Sequence, residues 1–309
     1  PAAAVPSTQS VLSAAPSSPS SHDHHECKPS PDFSKLPGAR IPSYSGKTAS
    51  PRKRPSPDAA RAALMHCVEL IKKHDSANYL AALLMPRSAQ PAIIALLAAN
   101  VEIALTRDKV SSVSTTAMYR LKFWRDTLDA VYRSGGIVPQ QPVATALLAF
   151  APTASFELLD SLAATRQKTI GDRPFPSVDE LCAYGRGTTG ALLRLQLQAL
   201  QYAGGEASVE TAADELAEAH ALLNVVRSAG PFTLRRTVLL PVDVLAKHGV
   251  SPDNVVSGKK EDGVKKAVEE IVETGTNRLA AARKRRSDVP RPLRLAFLAT
   301  AAQCEWVER

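Results

Sequence analysis

Asn224 and Arg227 stand three residues apart in ALLNVVRSAGPF, so on a helix they share one face and offer an amide and a guanidinium to an anion. Arg235 and Arg236 follow in a basic turn before the apolar run closed by Pro241, and a phosphate could be attracted there. A second candidate is HDHHEC, His22 to Cys27, whose three imidazoles and one thiol could bind a metal. Its spacing matches no closed zinc site. GRGTTG, residues 185–190, suggests a phosphate loop, but it lacks the Lys-Ser/Thr ending and no strand precedes it. Small residues that let two helices approach closely are the better reading. Two cation clusters remain, Arg52-Lys53-Arg54 and Arg283-Lys284-Arg285-Arg286. The first reads as linker charge. The second sits at the end of an expected helix, where the macrodipole favours cations. Contact with an RNA backbone or a partner is the functional reading of both.

The totals narrow the classes. At 309 residues with 44% apolar and 22% charged, the chain can bury a sizeable core. Aromatics are only 5% while Ala and Leu abound, which favours close-packed helices over sheet. No run approaches the ~18 apolar residues of a membrane span. Cysteines at 27, 67, 182 and 304 form no CxxC pair, which argues against a secreted disulfide scaffold and suits a reducing compartment or a matrix. The net charge of +8 permits contact with RNA or anionic lipid without requiring either. The sequence opens on Pro1 rather than methionine, which fits a processed or incomplete start with a transit peptide already removed.

Residues 1–57 are rich in Pro, Ser and Ala and lack a helical period. Such a tail cannot offset its own ordering entropy and is expected to lie extended on something large. From Ser56-Pro57-Asp58 the composition turns helical, giving a second region at 58–309. AARAALMHCVELIKKHD repeats apolar residues at helical spacing, and two further helical pieces are joined at Met85-Pro86-Arg87. Leu121, Trp124, Arg125, Leu128 and Tyr132 form one continuous stripe, so Trp124 and Tyr132 are expected in the core or a groove wall. Helices are also expected over Phe156–Gln167, from Val178 onward, over 208–228, and over 263–286, with a last one to Glu308. The long one is expected to end at Gly230-Pro231. Without carboxylates nearby on its own face, Arg227 is expected to pair with a helix end or a neighbouring carboxylate. The expected fold is a single all-α helical bundle.

Several of these stretches together resemble the squalene/phytoene synthase family. Tyr79-Leu80, Leu84, Pro86-Arg87 and Ile93 resemble the family's opening, and Leu121-Trp124-Arg125-Leu128-Tyr132 its LxxWRxxLxxxY pattern. Asn224, Arg227 and Leu240-Pro241 resemble its second signature, NxxRDxxED followed by GRxYLP. The resemblance implies an isoprenoid-synthase-like bundle in which two aspartate-rich motifs hold magnesium against a prenyl diphosphate. In this register the aspartate positions of the first motif are Ala104, Leu105 and Asp108, and those of the second are Ser228 and Phe232. One carboxylate cannot replace several hard oxygen ligands.

The frame of the motifs is present and their chemistry is missing. The resemblance is nearest to the family's non-catalytic branch, used in mitochondrial complex I assembly, with NYLAALLMPRSAQPAIIAL and AANVEIAL especially like it. It implies a pseudoenzyme of the mitochondrial matrix that needs no cofactor and binds subunits of a large assembly, with a related helical protein as one candidate partner. The same scaffold serving a mitochondrial ribosome precursor, in contact with rRNA, is the second expectation. An active prenyl transferase is the third.

Overall fold

Ser56 starts the first helix by accepting a hydrogen bond on its hydroxyl from the Ala59 N–H, with Pro57 in the first turn where its missing N–H is harmless. The computed structural model describes residues 54–108, 114–171 and 173–308, those at 107, 108, 114 and 306–308 by their backbone alone. The chain divides into two units, residues 1–48 and 49–309. The first unit lies outside the described residues. So do the expected extended tail, the His22–Cys27 cluster, Arg52 and Lys53.

Among the described residues, all of the regular secondary structure is helical. In order they are α1 (Pro57–His74), α2 (Ser76–Leu83), α3 (Gln90–Asp108), α4 (Ser114–Tyr132), α5 (Pro142–Phe150), α6 (Phe156–Lys168) and α7 (Val178–Gly185). A π-turn, Arg186–Gly190, leads from α7 straight into α8 (Ala191–Ala199). Then come α9 (Ala207–Leu234), α10 (Val242–Lys247), α11 (Pro252–Val256), α12 (Glu261–Lys284) and, after short 3₁₀ turns, α13 (Leu298–Glu308). Among the described residues, no helix is long and apolar enough to cross a membrane.

Two helices are buried on several sides and carry apolar residues all round, as central helices must. In α3 every residue from Ile93 to Ala99 is buried. It joins α1, α4, α5, α6 and α8 in the largest core cluster, where Leu121, Trp124 and Leu128 form the expected stripe. The stripe's polar members are satisfied at its margins. Tyr132 donates its hydroxyl to the Ala151 carbonyl at 3.0 Å, and Arg125 makes a two-pronged ion pair with Asp160 on α6 at 2.7 and 2.9 Å.

α9 is the second central helix. Val209 and Ala212 pack toward the 289–296 segment, Leu216, Ala219 and Leu223 toward α12 and α13, and Leu222 and Val225 toward α7, α10 and the N-terminal half of α12. Each fully buried leucine contributes about 2 kcal/mol. The π-turn presses the α7–α8 unit onto this helix. A Cβ on Gly185 would lie 2.6 Å from the Ala217 carbonyl, so glycine is what permits the approach. The GRGTTG stretch is thus a helix contact and not a phosphate loop.

One boundary differs from expectation. α9 does not end at Gly230-Pro231 but runs to Leu234, with Pro231 inside it. Phe232 packs into the cluster built by α7, α9, α10 and α12, and this burial outweighs the hydrogen bond that Pro231 cannot make. The helix closes only at Arg235 and Arg236, where the Thr237 N–H reaches the Phe232 carbonyl at 3.0 Å.

Candidate functional site

The second-motif positions lie along the C-terminal half of α9. Ser228 is half-buried and its hydroxyl donates to the Asn224 carbonyl at 2.7 Å, one turn back. Arg227 is exposed and donates to the Asn224 side-chain oxygen. Its partner is therefore an amide on its own helix, not the helix end or carboxylate expected from the sequence. Phe232 is half-buried among the apolar side chains of the cluster just described. Along α3, Ala104 and Leu105 are half-buried, and Leu105 packs against the largest core cluster. The two motifs' apolar members thus belong to different clusters. The side chain of Asp108 lies outside the described residues.

These residues do not fit the magnesium ion that the resemblance implies. Ala104, Leu105 and Phe232 carry no donor atom, and the Ser228 hydroxyl is engaged with backbone. Hard divalent cations need several oxygens arranged around them. Among the described residues, no group of three or more His, Cys, Asp or Glu side chains converges as a metal site.

Charge is concentrated instead further toward the N-terminal end of α9. Glu218, only 7% exposed, is held by Arg186 of the π-turn and by Arg278 of α12, the latter at 3.2 Å. A nearby thiol, Cys182, is pushed up to about 11, chiefly by burial and also by Glu218. Glu215 pairs with Arg285 at 2.9 Å. Arg194 of α8 bridges Glu210 and Asp214 at 2.6 and 3.0 Å. His220 meets the Thr189 hydroxyl at 3.1 Å and also hydrogen-bonds Gln303 of α13. Burial and the Arg227 charge push its imidazole down to about 4, so it is a neutral packing group at neutral pH.

The basic end of α12 is partly consumed in this way. Arg283 pairs with Glu305 at 2.9 Å and Arg285 with Glu215, while Lys284 and Arg286 are exposed. Arg54, Arg235 and Arg236 are exposed as well. Sequence reasoning missed Glu218 and its two arginines. Their signal was Glu215 and Glu218 on one face of α9 against Arg278 of α12 and Arg285 just past its end, seven apart.

The geometry defines an all-helical isoprenoid-synthase-like bundle. Solved structures agree on the fold. A dehydrosqualene synthase superposes with a TM-score of 0.69 at 17% identity, covering 81% of this chain and 87% of that one. Squalene synthase HpnC from Alicyclobacillus acidocaldarius gives 0.68 at 18% identity, covering 82% and 95%. The squalene/phytoene synthase family profile matches residues 71–308, and the chain belongs to that family. It is similar to the NADH dehydrogenase (ubiquinone) complex I, assembly factor 6 homolog of Drosophila melanogaster, 31% identical over 254 residues, 79% of this chain and 74% of that protein. The mouse assembly factor 6 is 29% identical over 272 residues, 84% of this chain and 80% of the relative.

Proposed function

We propose that this chain is a non-catalytic member of the family that acts in the mitochondrial matrix as an assembly factor for respiratory complex I, binding subunits of that complex. The observation that carries the reading is the set of side chains at the motif positions. Ala104, Leu105 and Phe232 cannot ligate a metal, and Ser228 turns its hydroxyl back to Asn224. Metal-assisted departure of a diphosphate has no grip there. The named relatives, near 30% identical over about four-fifths of the chain, support complex I as the assembly served. The ribosomal reading is weakened because Arg283 and Arg285, half of the basic cluster, are engaged in ion pairs within the bundle.

Two experiments test the proposal. Loss of the protein should deplete assembled complex I on native gels while ribosomal particles keep their sedimentation, and re-expression should restore it. Purified protein given farnesyl diphosphate and magnesium should release no pyrophosphate. Turnover in that assay, or a ribosomal defect that precedes loss of complex I, overturns it.

A further inference from the structure

The amphipathicity of α2 is inverted. Its buried residues are Asn78, Ala81 and Ala82, while Leu80, Leu83 and the capping Leu84 are 60%, 49% and 60% exposed. A helix that served only its own bundle would turn the leucines inward. Polar contacts at both ends hold the inversion in place. Asp75 caps the first turn, accepting from the Asn78 N–H at 3.3 Å and from the Asn78 side-chain amide at 2.8 Å. At the other end the Gln90 side chain donates to the Leu83 and Met85 carbonyls, at 3.2 and 2.9 Å. α2 cannot roll to bury its leucines without breaking these bonds.

Leu80, Leu83 and Leu84 stand at i, i+3 and i+4, so they form one ridge of large side chains. A single exposed leucine is ordinary, but three on one face within five residues make a surface suited to a partner. The charge around the ridge has one sign. Lys72 and Lys73 are exposed in the last turn of α1, on one side of it in sequence, and Arg87 is exposed on the other. From residue 70 to residue 90 the one acid is Asp75, and its carboxylate is engaged with Asn78. Such a ridge seats in the groove between side chains of a facing helix. Its cationic rim is complementary to acidic residues beside that groove, and opposite charges fix the register of docking.

We propose that the ridge of Leu80, Leu83 and Leu84 is a docking surface for an amphipathic helix of a complex I subunit, one with acidic residues beside its apolar stripe. The inference rests on the assembly reading, which supplies the class of partner, while the ridge and its rim supply the partner's chemistry.

In cells lacking the protein, the re-expressed wild-type chain should restore assembled complex I on native gels. Leu80→Ser combined with Leu84→Ser should melt with the wild type, because both side chains already lie largely in water, yet fail to restore the complex. Lys72→Glu with Lys73→Glu should lose part of the restoration, and Arg286→Glu, exposed just past α12, should lose none. A photoreactive residue in place of Leu84 should crosslink to a complex I subunit, at a peptide whose acidic residues flank an apolar helical stripe. No such adduct overturns the proposal, whatever the stability of the leucine variant. Full restoration by that variant, beside a working wild type, overturns the docking surface and leaves the assembly reading standing. Failure of the wild type itself to restore complex I overturns the assembly reading and this inference with it. Adducts confined to lipid, with flotation of the purified chain on cardiolipin-containing vesicles that the leucine variant loses, overturn the protein partner in favour of a membrane.

Discussion

Gly185 and Gly187 make opposite demands on the helices they touch, and alanine at each should reveal it. A Cβ on Gly185 would stand 2.6 Å from the Ala217 carbonyl oxygen and 2.8 Å from the Ala221 Cβ. Neither atom can rotate away, so α7 must retreat from α9 as a body. Overpacking costs about 1–3 kcal/mol, and a clash with helix backbone belongs at the upper end, ~3 kcal/mol. A Cβ on Gly187 instead meets the side chain of Thr165, at Oγ1 and Cγ2. That side chain can turn its Oγ1 away for ~1 kcal/mol, leaving the looser contacts at Cγ2 and Cβ. Urea denaturation followed by far-UV circular dichroism should show Gly185→Ala losing about three times the stability that Gly187→Ala loses. Thr165→Ala should restore the Gly187 variant and leave the Gly185 variant unchanged. Equal losses at the two glycines, or rescue of Gly185→Ala by Thr165→Ala, would refute the account of how α7–α8 seats on α9.

Three further outcomes follow from the same coordinates. Glu218→Gln should cost about 2 kcal/mol in the same assay, below the ~3–5 kcal/mol of a fully buried broken pair because Arg186 and Arg278 remain partly solvated. His220, held near 4 in the fold against 6.5 ordinarily, binds its proton more weakly folded than unfolded. Stability should therefore be full above pH 6.5 and fall as the pH drops from there toward 4, by at most about 3 kcal/mol. His220→Gln should flatten that part of a melting-temperature profile. Pro231→Ala should raise the thermal midpoint, since it restores an N–H inside α9 and removes the ring's clash, a gain of ~1 kcal/mol or more by calorimetry.

Features set by near neighbours in sequence were legible without coordinates. Ser56 ahead of Pro57 marked the start of α1, and the 3.6-residue spacing of Leu121, Trp124 and Leu128 placed that face of α4 in the core. That Ala104 and Leu105 stand on one helix and Ser228 on another could be read because the helical period is local. The C-terminal end of α9 could not be, since the burial of Phe232 against distant elements overrides the Gly-Pro signal. Arg285 finds Glu215 across 70 residues of chain, and a run of four cations gives no hint that two will be neutralised inside the fold. Glu218 was missed for the same reason, as a carboxylate in an alanine-rich helix reads as solvated until its partners on other elements are known.

The carboxylates of α9 also act as a ruler for α12. Apolar contact between the two, as where Gly275 nestles against Leu222 and Leu223, would tolerate sliding along the helix axis. A slip of one turn, ~5.4 Å, would leave Glu218 with Arg186 alone and draw Arg285 off Glu215 at the same stroke. Misaligned pairings of the two longest helices are thereby made costly, and the chain is left with one way to dock them.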